Sequence, residues 1–370
     1  MIINISRAKV ARTCWRKTFN LFHRELEGSR SLNLVDGGAM HDGIAQGLAS
    51  RDWNSALVAA RERFDKDKQT VTVLPEESFI FDAHWKLVQR MVECYAENHQ
   101  HEQYEVIQPE CQFDVELPGT MHNCIWLHWY DAAEKVAKWG PPPPEKILQG
   151  NVLPAHIETD KDCRCYTPHR LVGKTDAVVM WTINSTRNLW LEEHKSTAIS
   201  GELFWKQFVM DRQPTAYIYG INKMLGIRPR GVIVNAIFKP SEKQVSNWNS
   251  KRKYGPAKTI KDYISYERQP FLRTEEDLAE FEAEIINTAN EWEERITSGN
   301  FPREVVPGHC LQWNRECDYY FGCMSHEEPG WEEALQPRAA DYVTEKLYNI
   351  IGIKPPSVAR STEEEVVEEI

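Results

Sequence analysis

The sequence predicts an α/β fold, a mixed β-sheet flanked by helices. Two long stretches carry apolar residues at helical spacing, "EESFIFDAHWKLVQRMVECYAEN" (76–98) and "TEEDLAEFEAEIINTANEWEERITS" (274–298). Between them lie short β-rich runs, above all "GVIVNAIFK" (231–239), whose apolar character suits a buried strand. Two further apolar runs, 177–183 and 189–191, flank "NSTRN", the pattern of an antiparallel hairpin.

In chain order, residues 1–66 read as helical, interrupted by the turn-rich "NLVDGGAMHDG". After the helix at 76–98, "YEVIQPECQFDVEL" (104–117) reads as extended and stops at Pro118-Gly119. Residues 118–168 read as an insertion whose "GPPPPEK" is a stiff polyproline connector. The hairpin follows, then a helix at 211–225 with Pro214 tolerated in its first turn. The 274–298 helix opens on Thr274, with Asp277 three residues on as an aspartate form of the capping box. One domain over 1–325 is expected, followed by an extension at 326–370 that ends in the acidic, solvated "STEEEVVEEI".

The 370 residues are 41% apolar and 27% charged, ordinary for a soluble globular chain. No apolar run approaches the roughly 18 residues of a membrane span, and the N-terminus lacks the apolar core of a secretory signal, so a cytoplasmic protein with no membrane partner is expected. Nine cysteines without a disulfide framework point to reduced thiols and, where clustered, to metal. The net charge of −11 weighs against nucleic acid. Two locally basic segments weigh the other way: 7–24, with Arg7, Lys9, Arg12, Arg16, Lys17 and Arg24, and 239–261, with Trp248 and Tyr254 among its lysines.

Chemistry concentrates in "LWLEEHKS". Glu193 and Lys195 are i and i+2 on a strand and project from one face. The hairpin brings Asp176 alongside Glu193, giving two carboxylates and an ammonium on a sheet edge. Carboxylate oxygens suit Mg²⁺ or Mn²⁺, and a neighbouring lysine can activate water or steady phosphate charge. The bland alternative is a salt-bridged strand end. Gln213 and Tyr217 are i and i+4 on one helix face, placed to hold the lysine or a phosphate, or simply solvated. Glu192 is a competing candidate for the ligand, but the i, i+2 geometry favours Glu193.

In this order the motifs Asp176, Glu193-x-Lys195 and Gln213-x-x-x-Tyr217 resemble the PD-(D/E)XK nuclease superfamily in its RecB-like branch. The resemblance runs over about residues 6–325, through short motifs only. It implies a restriction-endonuclease-like core and, for His41 in "GGAMHDG", a further metal ligand beside Asp176 and Glu193. It makes Glu110 a supporting carboxylate on the preceding strand. Iron–sulfur members of that branch, among them AddB-type helicase–nuclease subunits and nucleases of CRISPR adaptation, carry one N-terminal and three C-terminal cysteines on a [4Fe–4S] cluster. Cys14, with Cys310, Cys317 and Cys323 spaced C-x6-C-x5-C, is similar to that set, although the first spacing is longer than in several relatives. Such a cluster would staple the chain ends; zinc is the rival for the same thiolates. Cys163, Cys165, His169, His122 and Cys124 are candidates for a second metal site in the insertion.

The expected function is therefore a Mg²⁺- or Mn²⁺-dependent DNA nuclease, in the family's manner an exonuclease of recombination, repair or phage DNA metabolism. Its substrate would be single-stranded DNA or DNA with a single-stranded end, and its partner a helicase or recombination protein. The setting would be the cytoplasm of a bacterial or phage-infected cell. The alternative is a non-cleaving DNA-binding or assembly subunit that keeps the fold.

Overall fold

The computed structural model describes residues 2–28, 30–71, 78–99, 104–131, 136–139, 152–183, 185–199, 201–241, 244–245, 263–303, 307–312, 315–325 and 331–337. For 120–131, 136–139, 152–167 and several residues beyond 303 the description covers the backbone alone. The "GPPPPEK" connector, most of the second basic segment with Trp248 and Tyr254, the acidic tail, and the side chains of His122, Cys124, Cys163 and Cys165 lie outside the described residues.

Helices α1 (Ile5–Thr13), α2 (Trp15–Phe22), α3 (Leu32–Ser50), α4 (Trp53–Asp67) and α5 (Phe79–His99) form the N-terminal part, with short strands β1 (Ile2–Ile3) and β2 (Leu26–Glu27) among them. Then come β3 (Tyr104–Asp131), β4 (Val136–Trp139), β5 (Val152–Ile183) and β6 (Thr186–Thr197). Helices α6 (Glu202–Met210) and α7 (Arg212–Leu225) lead to β7 (Gly231–Phe238), β8 (Ser265–Leu272) and α8 (Glu275–Ser298). The sheet order is β4-β3-β5-β6-β7-β8, with β1 parallel to β5. All its neighbours are antiparallel except β1–β5 and β6–β7, so the sheet is mixed, as expected. Parallel β6 and β7 require a crossover, which α6 and α7 supply.

Alternation along the strands builds two cores. On β5, β6 and β7, Val178, Leu191 and Val234 pack with α1, α7 and α8, while Ala177, Trp190 and Ile233 pack with α3, α4 and α5. Helix ends form where local chemistry directs. Thr274 Oγ1 accepts from Asp277 N at 3.2 Å and Thr274 N donates to Asp277 Oδ2 at 2.8 Å, the reciprocal box expected at α8. Asp211 caps α7 by accepting from Gln213 N at 2.8 Å.

Two expectations are corrected. "NLVDGGAMHDG" is no turn: it lies inside α3. Its glycines serve close packing instead, since a Cβ on Gly43 would meet Ala60 Cβ at 2.9 Å and the Ala56 carbonyl at 3.0 Å. The strand at 104–117 does not stop at Pro118-Gly119 either. The register shifts between Leu117 and Thr120, and pairing resumes to Asp131↔Val152. Proline has no N–H for the ladder, so it is accommodated at such an irregularity. Much of the expected insertion is thus an antiparallel ribbon extending β3 and β5. Strand β8, not foreseen, closes the sheet with Pro270 on its outer edge.

Candidate active site

Strand β3 occupies one edge of β5 throughout; the other edge is shared. Strand β6 pairs with residues 177–183 and β1 with 170–171, and Asp176 falls in the interval between them. Released from the ladder there, the Asp176 carboxylate turns back on β6: Oδ2 accepts from the His194 backbone N–H at 2.6 Å. His41 reaches in from α3, its Nδ1 3.2 Å from Asp176 Oδ1. Glu193 and Lys195 share one face of β6, as their spacing predicts, and form an ion pair. From α7, Gln213 Nε2 donates to Glu193 Oε1 at 2.8 Å and to the Tyr217 hydroxyl oxygen at 2.7 Å. Lys195 Nζ lies 3.4 Å from Gln213 Oε1. The structure therefore brings together His41, Asp176, Glu193, Lys195, Gln213 and Tyr217.

Glu193 is 2% exposed, and its Oε2 has no hydrogen-bond partner among the described residues. Burial pushes its carboxyl up to about 7; the Lys195 ammonium opposes this and the Asp176 charge adds to it. Burial also acts to raise Asp176, but His41 and His194 outweigh it and hold the carboxyl well below the usual range. Burial disfavours the His41 and Lys195 cations, yet Asp176 outweighs it at His41 and Glu193 at Lys195, so both pKa values are raised. Lys195 is thus a persistent cation, suited to donating hydrogen bonds and ill suited to taking a proton.

Glu192 faces the other layer. Its Oε1 accepts from Asn235 Nδ2 at 3.0 Å and lies 3.4 Å from Arg268 Nη2, which excludes it from the Glu193 face. The Asn235–Arg268–Tyr266 group behind β6 was missed from sequence because it joins β6, β7 and β8 across long separations. Also missed was the buried His194, whose ring lies 6.1 Å from that of His41; burial pushes its pKa down to about 3. Glu110 sits between the pairs Pro109↔Ala177 and Cys111↔Thr175, opposite Asp176, at φ 50. Its carboxylate is 2.6 Å from Lys174 Nζ rather than in the cluster itself.

Helix α3 is pinned one turn before His41. Asp36, fully buried, is 2.8 Å from His84 Nδ1 and 3.2 Å from Lys239 Nζ. Asp36→Ala would leave Lys239 as a buried cation without a carboxylate. It is expected to cost about 3–5 kcal/mol in a urea titration; a loss below about 1 kcal/mol would remove this triad as the anchor.

The four cysteines share one pocket. Cys14, Cys310, Cys317 and Cys323 line one small, largely apolar cavity with Lys17 and Arg303, and none is in a disulfide. Cys14 Sγ accepts the Lys17 backbone N–H at 3.4 Å. Burial, then Cys14 and Cys317, push the Cys323 thiol up to about 11. Nearby contacts join the chain ends: β2 pairs with Gln336–Pro337, and Tyr319 Oη donates to the Leu26 carbonyl at 2.5 Å.

Two expected partners of DNA or metal have structural employment. In the first basic segment Lys9 pairs with Asp211, Arg12 with Glu284 and Arg24 with Glu332, so those cations are tied into the fold. His169 Nε2 lies 2.6 Å from Asn290 Oδ1.

Among the described residues, no three His, Cys, Asp or Glu side chains already converge as a metal site, and no helix is long and apolar enough to cross a membrane. His41 pairs with Asp176 and Glu193 with Lys195. No protein-family model matches the chain, and no curated protein matches it.

Proposed function

We propose that the protein is a divalent-metal-dependent DNA nuclease, acting as an exonuclease, with a RecB-like site at Asp176, Glu193 and Lys195. The observation that carries this reading is the release of Asp176 from the β5 ladder into contact with β6. That release puts its carboxylate beside a second buried carboxylate and a permanent ammonium.

The donor set fits Mg²⁺ or Mn²⁺: carboxylate oxygens of Asp176 and Glu193, one of them buried without a partner, and the imidazole of His41. These three would hold the ion, exchanging their present pairing with His194, Lys195 and one another for it. A bound ion would supply positive charge at the scissile phosphate and lower the pKa of a coordinated water. Lys195, cationic and 30% exposed, would donate to a phosphate oxygen or to water held there. Gln213 fixes the Glu193 oxygen, and Tyr217, whose hydroxyl stays protonated because burial and the two carboxylates raise its pKa, anchors Gln213. Lys195→Arg would keep the charge and lose this fit.

The four thiols fit a [4Fe–4S] cluster, with zinc as the alternative. They line one small cavity, a backbone N–H already points at Cys14 Sγ, and Lys17 and Arg303 beside it would offset anionic charge. The cluster is read as structural, holding the ends around the nuclease core.

The decisive assay is a time course on end-labelled single- and double-stranded DNA with and without Mn²⁺. Shortening only with the ion supports the reading, and a gel shift without shortening makes the protein a binding subunit. Metal affinity carries its own expectation. Glu193, raised to about 7, and His41, also raised, must shed their protons to ligate. Mn²⁺ binding is expected to tighten at least ~10-fold from pH 6 to pH 8, with protons released. Calorimetry in two buffers of different ionisation heat checks it, and a pH-independent Kd removes both groups from the ligand set.

A further inference from the structure

We propose that the groove between the C-terminal half of α3 and the start of β3 is a subsite for a nucleobase of a single strand. This rests on the nuclease reading, which places that strand's phosphate at Asp176 and Glu193. The groove encloses about 580 Å³, within the range of small-molecule sites. Gly47, Arg51, Trp53, His99, Tyr104 and Pro109 line it.

Its wall is a file of rings. Trp53 and His99 meet edge to face at 5.8 Å, and His99 and Tyr104 at 5.4 Å. Trp53 is seated on the bare backbone of Gly47, where a Cβ would fall 2.4 Å from the indole. Rings of this kind take any base, because stacking needs only a π-face. His99 Nδ1 is 3.0 Å from the Tyr104 hydroxyl, and burial, aided by Arg268, pushes the imidazole down to about 4. The three rings therefore present neutral faces at physiological pH, suited to a base rather than a phosphate.

A cation stands at the rim instead. Arg51 ends α3 at φ 58, the left-handed position that glycine usually takes. Its exposed side chain is placed to meet the strand's backbone. The rim carboxylate, Glu105, is 2.6 Å from Arg187, which offsets its repulsion of a phosphate.

Two elements that line the groove also reach the site. On α3, Gly47 follows His41 by six residues, about 9 Å at 1.5 Å per residue. On β3, Pro109 precedes Glu110, which sits opposite Asp176. On this proposal a strand leaving the carboxylates follows α3 and β3 to the ring-lined groove.

The test uses the wild-type protein in EDTA and a DNA hairpin with a single-stranded overhang, the duplex end fixing the register. One abasic position is walked along the overhang while binding is followed by anisotropy. The expected profile weakens binding at least ~5-fold at one or two adjacent positions and is flat elsewhere. Trp53→Ala should erase that minimum. Because Trp53 packs on α3, Arg51→Ala gives a second variant, expected to weaken every substrate about 3-fold or more. Photocrosslinking of 5-iodouracil overhangs, mapped by mass spectrometry, decides where binding data are ambiguous. Crosslinks at Trp53, His99 or Tyr104 support the subsite. Crosslinks confined to other surfaces, or no binding of the hairpin, overturn it even if the enzyme cuts DNA. Crosslinks at the groove in a protein that never cuts with Mn²⁺ overturn the nuclease reading and leave the subsite standing.

Discussion

Asp176→Asn is expected to lower Mn²⁺-dependent DNA cleavage at least ~10³-fold, about 4 kcal/mol of transition-state stabilisation, with little change in folding. The amide keeps the shape of the carboxylate and an oxygen to accept the His194 N–H, now made at 2.6 Å. What it removes is the negative charge, and with it an anionic oxygen for the proposed ion and the partner that raises His41. Lys195→Met is expected to lose a comparable factor by a different route. Methionine keeps the apolar stem and deletes the cation, so Glu193, already pushed up to about 7, loses the one neighbour that pulls it down most strongly. Metal affinity near neutral pH should then fall as well, whereas Lys195→Arg should restore affinity better than turnover. The comparison uses single-turnover rates with saturating Mn²⁺ on an end-labelled strand, beside thermal melts. Cleavage within tenfold of wild type for either Asp176→Asn or Lys195→Met would remove this cluster as the catalytic centre.

The part of that cluster legible in the sequence is the part set by short spacing. Glu193 and Lys195 share a face because strands repeat every two residues, and Gln213 and Tyr217 because helices return every three to four. The box at Thr274 and Asp277 was legible for the same reason: both halves of the interaction lie within one turn. Contacts across long separations were not. His41 and Asp176 are 135 positions apart, and only the family resemblance suggested they belong together. The brace formed by Asn235, Tyr266 and Arg268 depends on β8, whose outer-edge position leaves charged and polar residues at half of its sites and blurs the apolar alternation. Glycines misled the reading of α3 because a small residue signals a turn and close helix packing alike. The structure resolves it: Gly43 lies against Ala60 and Gly47 against Trp53. Pro118-Gly119 misled in the same way, marking a register shift rather than a strand end.

Cys14→Ser is expected to disrupt the proposed metal centre and to lower stability substantially without disturbing α2. Cys14 is the N-cap of that helix, its sulfur accepting from Lys17 N. Serine is among the better N-caps, so the helix start survives while a soft thiolate ligand is lost. Wild-type protein purified anaerobically, or reconstituted with ferrous iron and sulfide, is expected to be brown with about four irons per chain. The Cys14→Ser protein should be pale with iron reduced severalfold. The stability loss follows from topology: a centre joining residue 14 to residues 310–323 closes a loop of roughly 300 residues. A covalent cross-link of that span is worth at most ~5–6 kcal/mol by loop entropy. The centre's share should be smaller, because β2 already pairs with Gln336–Pro337 and Tyr319 already holds Leu26. A fall of about 2–4 kcal/mol in the metal-loaded comparison, shrinking when both proteins are stripped of metal, is therefore the expected signature of a staple. Colourless wild-type protein with one zinc, lost in Cys14→Ser, would keep the staple and replace its metal. Equal metal content and equal stability in the two proteins would end the assignment of these thiols to any metal.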